Sequence, residues 1–155
     1  ERIFIVGFKD KNKRKAFEFP KEIALTESFK DFTANEADEK YYYNNKPLFE
    51  RLKNDINSED TVYQWRRKYV RANKKGVVPT LTANMGTGGH NVPIIKNGKG
   101  IRKLTPKECF LLQGFPEQFK LPAIADSYLY HQAGNSVTVP VVQRVAEEMK
   151  RVLSL

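Results

Sequence analysis

The segment "RKLTPKECFLLQGFP", residues 102–116, carries the most complete set of local structure signals in the chain. Thr105 is a typical N-cap, Pro106 suits the first helical position, and Glu108 completes a capping box three residues after the cap. Gly114 then ends the helix. The segment therefore predicts a short, firmly capped helix.

Cys109 is the only cysteine of the chain, and it is either a nucleophile or a packing residue. As the fourth helical residue it pairs with Leu104 in a hydrophobic staple, and Leu112 follows on the same face. An activated thiol needs a helix N-terminus or an imidazolium beside it, and no pattern places His90 or His131 nearby. We therefore predict that Cys109 is structural. A single cysteine also excludes an internal disulfide, which is typical of a reducing compartment.

Apolar alternation and turn residues predict the remaining elements. The continuous apolar run at residues 2–8 predicts a strand covered on both faces, and residues 9–15 read as a charged loop. Further extended segments are predicted at residues 61–71 and 77–83, with a hairpin at residues 92–104. A short helix is predicted within residues 47–55, and the segment "NMGTGGHN" predicts a glycine-rich loop.

The last helix is predicted from about Pro140 to Leu153. Val141, Val145, Met149 and Val152 recur with helical spacing and form an apolar stripe. We expect the stripe to be covered within the chain or by self-association.

Composition restricts the class of protein. The 155 residues are 40% hydrophobic, which is enough for one ordinary core. No run approaches the roughly 18 apolar residues of a membrane span, and no signal peptide opens the chain, so a cytoplasmic protein is expected. The net charge is +9, and residues 61–107 contain no Asp or Glu. This one-signed block predicts a surface for nucleic acid; the alternative is a solvated basic face.

Four segments, in chain order, resemble a known family: "ERIFIVGF", "PTLTANMGTGG", "RKLTPKECFLLQGFP" and "HQAGNSVTVPVVQRVAEEM". They are similar to the C-terminal part of bacterial DNA (cytosine-5)-methyltransferases, with the eighth, ninth and tenth motifs and the target-recognition domain. The implied fold is mixed α and β: a small β-rich target-recognition domain, plus a strand and a C-terminal helix of an incomplete Rossmann-like catalytic domain. The implied boundaries are 1–20 for the end of the catalytic domain, 21–100 for target recognition, 101–122 for the ninth motif and 123–155 for the tenth.

The resemblance implies transfer of a methyl group from S-adenosylmethionine to C5 of a flipped cytosine. The family's attacking cysteine belongs to a Pro-Cys motif, which this chain lacks, together with the Glu-Asn-Val segment and the glycine-rich first motif. The chain alone is therefore expected to be inactive and to need a catalytic domain or subunit. The complete enzyme is expected to belong to a restriction–modification system. The absence of an initial Met favours a piece cut from a larger protein over one subunit of a split enzyme.

The resemblance also implies three groups of site residues. Arg2 matches the arginine that contacts the flipped cytosine; the alternative is a surface arginine at a frayed terminus. The expected DNA-binding residues are Arg66, Arg67, Lys68, Arg71, Lys74, Lys75, Thr80, Leu81, Gly88 and Gly89, with arginines suited to guanine and lysines to phosphates. Asn135, Ser136 and Val137 match residues that lie against S-adenosylmethionine; helix capping by Ser136 or Thr138 is compatible with that role. No metal site is expected.

Two other functions remain open. A DNA-binding protein without catalysis, such as a regulator, would use the same recognition residues. A basic RNA-binding domain is the third possibility, but no aromatic-rich RNA motif is visible.

Overall fold

The computed structural model describes residues 3–73, 76–87 and 91–155. These residues form two compact units. We call Thr26–Ser136 the sheet unit, and residues 3–25 together with Val137–Leu155 the terminal unit. The fold is mixed α and β, with a β-rich sheet unit and a C-terminal helix, as predicted.

Four short antiparallel strands form the sheet: β1 (Val62–Trp65), β2 (Val70–Asn73), β3 (Ile94–Asn97) and β4 (Gly100–Lys103). Their spatial order is β2-β1-β3-β4. Asn97 and Gly100 pair across a tight turn, so the hairpin predicted at residues 92–104 is confirmed.

The segment at residues 61–71 is a hairpin and not the single strand that its alternation predicts. Arg66 donates its backbone N–H to Tyr69 O at 2.9 Å, and Arg67 reverses the chain with a φ of 64°. Alternation has the same period in one long strand and in two paired strands, and no glycine or asparagine signals this turn. The sequence pattern therefore does not predict this reversal of the chain direction.

Both faces of the sheet contribute side chains to an apolar cluster, because successive side chains of a strand point to opposite sides. Val62 and Ile95 belong to one apolar cluster, which also contains Leu104 and Cys109. Tyr63 and Ile94, which pair across β1 and β3, belong to the other.

The sheet unit includes helices α2 (Phe49–Leu52) and α3 (Pro106–Leu112), and α3 begins at the predicted capping box. Thr105 accepts the backbone N–H of Glu108 at 3.2 Å, and the Glu108 carboxylate accepts that of Thr105 at 2.7 Å. Cys109 is fully buried in the cluster that holds Leu104. Its predicted packing role is confirmed.

Arg102 belongs to the basic block but is buried, and it pairs with the Glu108 carboxylate at 2.7 Å and 2.8 Å. It also donates to Ala34 O at 2.7 Å. This arginine therefore ties β4 to the start of α3 and does not contribute to a surface.

A ten-residue helix, α4 (Asp126–Asn135), was not predicted. It buries Leu129, Tyr130, Ala133 and Gly134, which lie on one face. The spacing of these four residues is helical, but half of them are Ala and Gly, so they give a weak apolar signal.

The terminal unit contains α1 (Lys11–Ala16) and α5 (Val139–Leu153). Lys13 donates to Leu153 O at 2.8 Å, and Arg151 donates to Ala16 O at 3.0 Å, so the ends of the two helices are joined. The last helix is confirmed. The loop predicted at residues 9–15 is wrong, because Asp10 caps a helix by accepting two backbone N–H groups.

The strand predicted at residues 2–8 is also wrong for the residues that the structure describes. Residues 3–8 pair with no strand, and Ile3 and Ile5 are 90% and 91% exposed. A strand of this kind needs neighbours on both sides, and the described strands all lie between Val62 and Lys103.

The apolar stripe of α5 is only partly covered, since Val152 is buried while Val141 is 42% exposed.

Candidate nucleic-acid interface

A cleft of about 480 Å³ opens in the sheet unit beside the β1–β2 hairpin. Its polar lining consists of Gln64, Arg66, Arg71, Asn73, Thr80, Thr82, Asn84 and Asn91. Val77, Val78 and Pro79 also line the cleft, and none of these described residues is acidic. The described lining therefore offers cations, amides and hydroxyls.

The pairing of β1 with β2 brings three of these side chains to one face. Gln64 pairs directly with Arg71, and paired residues of antiparallel strands point to the same side. Arg66 lies two residues beyond Gln64 and shares that side because of the two-residue period. The same face carries Val62 into the core, which fixes the register of the polar residues above it.

Arg66 and Arg71 are exposed, and within the described ranges neither takes part in an ion pair. By contrast, Lys30, Lys53 and Lys99 are each within ion-pair distance of a carboxylate. The cleft is thus a place where positive charge is not neutralised by the protein. Such a region attracts polyanions.

Arg67 and Lys68 form the exposed tip of the hairpin and do not line the cleft. Lys68 donates its backbone N–H to Arg66 O at 2.8 Å across Arg67. A hydrogen bond of this spacing around a residue with positive φ is a γ-turn, which is a rare and strained conformation. Strain of this kind often occurs at functional sites.

Thr80 and Leu81 have opposite environments. Thr80 is exposed and lines the cleft, whereas Leu81 is 7% exposed and packs in the core. Burial of Leu81 fixes the backbone that presents Thr80. The extended segment predicted at residues 77–83 joins no strand in the part of the chain that the structure describes, so Thr80 is not an ordinary strand residue.

Helix α4 holds the turn that follows Thr80. Met85 donates its backbone N–H to Thr82 O at 3.0 Å, and the Thr82 hydroxyl donates to Asn84 Oδ1 at 2.5 Å. The Nδ1 atom of His131, on α4, lies 2.6 Å from Ala83 O. A Cβ on Gly134 would lie 2.1 Å from Thr82 O, so only glycine permits this approach.

Five predicted site residues lie outside the described residues: Arg2, Lys74, Lys75, Gly88 and Gly89. Their roles stay predictions.

The three residues predicted to contact S-adenosylmethionine differ in exposure. Asn135 and Val137 are exposed, which suits contact with a ligand. Ser136 is half-buried, follows the last residue of α4, and donates its hydroxyl to Ala133 O at 2.7 Å. Ser136 thus caps the C-terminal end of α4.

Burial removes Cys109 from consideration as a nucleophile. Burial raises the pKa of the thiol, and the neighbouring Glu108 carboxylate raises it further. The neutral thiol is a poor nucleophile.

The cleft contains four amide residues that the sequence analysis did not single out: Gln64, Asn73, Asn84 and Asn91. Gln64 and Asn73 could have been found, because they alternate with Arg66 and Arg71 along paired strands. Asn84 and Asn91 carry no comparable signal, since the turns that place them depend on α4 and on the core.

Within residues 3–73, 76–87 and 91–155, no group of three or more His, Cys, Asp or Glu side chains is arranged to hold a metal ion. No described helix is long and apolar enough to cross a membrane.

Comparison with known proteins identifies one matching family. Residues 1–151 match the family described as C-5 cytosine-specific DNA methylase. The Type II methyltransferase M.Bsp6I of Bacillus sp. (strain RFL6) is 53% identical over 153 residues, covering 96% of this chain and 49% of the relative. M.DsaV of Dactylococcopsis salina, also a Type II methyltransferase, is 36% identical over 165 residues, covering 100% and 44%. The chain thus spans about half the length of these curated relatives.

A solved structure shares the fold. The methyltransferase EhMeth of Entamoeba histolytica superposes with a TM-score of 0.60 at 18% sequence identity, covering 96% of this chain and 46% of that one. At this identity the similarity concerns the fold alone.

Proposed function

This chain belongs to the C-5 cytosine-specific DNA methylase family, and from that premise we propose that it is the DNA-recognition part of a DNA (cytosine-5)-methyltransferase. The enzyme acts in the bacterial cytoplasm as part of a restriction–modification system, and the names of the relatives as Type II methyltransferases support this role. The observation that carries the proposal is the cleft, where Arg66, Arg71 and Thr80 meet and where none of the described lining residues is a carboxylate.

The cleft residues divide by chemistry into base readers and phosphate contacts. Arg66 and Arg71 can each donate two hydrogen bonds to O6 and N7 of a guanine, while Thr80 can donate one to a phosphate. Arg67 and Lys68, at the hairpin tip, can reach the duplex beside the cleft, Lys68 as a point charge for phosphate.

Catalysis requires a partner that supplies the attacking cysteine. Cys109 is buried and neutral, and the sequence has no Pro-Cys motif. The terminal unit exposes Ile3, Ile5 and part of the α5 stripe, which suits packing against a catalytic domain or, in the isolated chain, self-association. In the complete enzyme, Arg2 contacts the flipped cytosine.

S-adenosylmethionine, held mainly by the catalytic part, supplies the methyl group when bound. Asn135 and Ser136 contribute polar contacts to it, and Val137 contributes an apolar one. This chain's own task is to bind and orient the duplex.

A DNA-binding protein without catalysis is the second candidate, and it is favoured by the cleft lying wholly within this chain. Mixing the chain with a candidate catalytic half separates the two. Methyl transfer to mapped DNA supports the enzyme; duplex binding with no transfer by any such mixture supports the second candidate.

The proposal is tested by Arg66→Ala and Arg71→Ala, measured against a duplex selected from a randomised pool. Each change is expected to weaken binding to the selected duplex by about 1–3 kcal/mol and binding to random duplex by less, because a bidentate base contact is lost. Arg51→Ala is the matched control, since Arg51 is exposed in the same unit and does not line the cleft. Equal losses for all three variants would defeat the assignment.

A further inference from the structure

Two side chains near the end of α4 form a continuous hydrogen-bonded path to the turn at the cleft. His131 Nδ1 lies 2.6 Å from Ala83 O, and Asn135 Nδ2 lies 3.0 Å from His131 Nε2. His131 and Asn135 are four residues apart, so they are neighbours on one helix face. All three residues belong to the sheet unit.

The hydrogen-bond partners of the path fix which tautomer of the neutral His131 ring fits it. A backbone carbonyl can only accept, so Nδ1 carries the hydrogen that is shared with Ala83 O. In a neutral imidazole Nε2 is then an acceptor, and Asn135 must turn its NH2 group towards it. Asn135 thereby keeps its side-chain oxygen for a ligand that donates a hydrogen bond.

The far end of the path is the DNA side of the molecule. Ala83 lies between Thr82 and Asn84, and both of these line the cleft. The turn touches α4 a second time at Gly134, where the backbones are in close contact. The His131 ring is therefore hydrogen-bonded to the segment that carries Thr82 and Asn84 into the cleft wall.

We propose that His131 is a positioning residue that joins Asn135, on the cofactor side, to the turn at Ala83, on the DNA side. The inference rests on the proposed function, because it takes the cleft as the duplex surface and Asn135 as a cofactor contact. His131 touches neither ligand; it acts by holding the turn, with its imidazole in the Nδ1–H form. Ligand contact at Asn135 and duplex contact at the cleft then influence each other reciprocally.

Duplex affinity of substituted chains is the first test. His131→Ala removes the bond to Ala83 O and is expected to weaken duplex binding about 3- to 10-fold, the value of one net hydrogen bond. His131→Asn can place an amide N–H where Nδ1 lies and is expected to restore most of that loss. Asn135→Ala is expected to weaken binding less, and to have no further effect when combined with His131→Ala, because both act through the same ring.

The tautomer of His131 is the second test, because it follows directly from the two hydrogen bonds of the path. Nitrogen NMR of the ring in mildly alkaline buffer, in which imidazoles are neutral, is expected to show hydrogen on Nδ1 and a lone pair on Nε2. A ring with hydrogen on Nε2, or equal duplex affinity for His131→Ala and the unsubstituted chain, overturns the inference. Thermal unfolding of each variant separates lost binding from lost folding.

Failure of the inference and failure of the proposed function give different results. If the unsubstituted chain does not bind duplex, both are overturned. If it binds and depends on Arg66 and Arg71, while His131→Ala binds normally, only the positioning role of His131 is overturned.

Discussion

Arg67 holds a backbone conformation that residues with a side chain rarely adopt. Its φ of 64° closes the β1–β2 hairpin, and a left-handed residue costs roughly 1–2 kcal/mol. The neighbouring residues Arg66 and Lys68 add like charge at the same tip. A turn built for stability would place glycine at this first central position, so the arginine carries a cost in stability that a role in binding can explain.

The first prediction at this scale concerns Arg67→Gly. We expect the free energy of unfolding to rise by about 0.5–1 kcal/mol, because glycine adopts positive φ without strain. Duplex affinity is expected to fall, since the guanidinium is lost. Arg67→Ala is the control that loses the charge but keeps the Cβ; it should be the less stable of the two in denaturant titrations. A glycine variant less stable than the alanine variant would contradict this.

Cys109 supplies a prediction about pH. Burial, and then the Glu108 carboxylate, raise the pKa of the folded thiol above its ordinary value of 9.0, with Lys103 opposing. A raised pKa means that the folded state holds the proton more tightly, so the resulting stability is complete below pH 9.0 and is lost above it. We expect Cys109→Ala to remove part of the fall in stability between pH 9.0 and the ordinary tyrosine pKa of 10.0.

The size of this effect is limited by linkage. One proton contributes at most about 1.4 kcal/mol per pH unit, and the unfolded thiol is only half ionised at pH 9.0, so the two stability curves should converge by about 1 kcal/mol across this window. Identical slopes for both chains across this window would show that the thiol titrates normally in the fold.

At the scale of elements, the sequence predicts those that are specified locally. The capping box at Thr105, the tight turn between β3 and β4, and the apolar stripe of α5 each lie within a few residues, and each of these elements formed. Helix α4 depends on packing of small residues against a distant turn, and the strand predicted at residues 2–8 depends on neighbours beyond the described strands. Short sequence patterns do not reveal such non-local requirements.

The candidate site shows the same division. Arg66, Arg71 and Thr80 were predicted from charge and resemblance, and the structure brings them to one cleft. Their amide neighbour Asn84 was missed, because its position depends on the contact between α4 and the turn after Thr82.

Gly134→Ala tests that contact. Helix propensity alone favours alanine by about 1 kcal/mol, but the added Cβ would lie 2.1 Å from Thr82 O. We expect the free energy of unfolding to fall by about 1–3 kcal/mol and duplex affinity to fall as the turn is displaced. Gly98→Ala is the matched control, because nothing lies within 4 Å of its Cβ. Equal stability of the two variants in thermal unfolding would contradict the tight fit at α4.

At the scale of the whole molecule, the chain spans about half the length of its relatives, and its two units differ in surface. The sheet unit has a polar cleft whose arginines form no ion pair among the described residues, whereas the terminal unit exposes apolar side chains such as Ile3 and Ile5. We therefore expect duplex to bind the first and protein to cover the second. The alternative candidate surface for DNA in the sheet unit is a second hollow, which Lys53, Lys96 and Lys99 help to line.

The most direct measurement is a map of backbone amide NMR shifts on titration of this chain with duplex DNA. The largest changes are predicted at Gln64, Arg71, Thr80 and Asn84, with little change at Lys53 and Lys99, because the latter two are within ion-pair distance of Glu50 and Glu36. Shifts concentrated around Lys53, Lys96 and Lys99, with the cleft unaffected, would contradict the assignment of the cleft as the DNA surface.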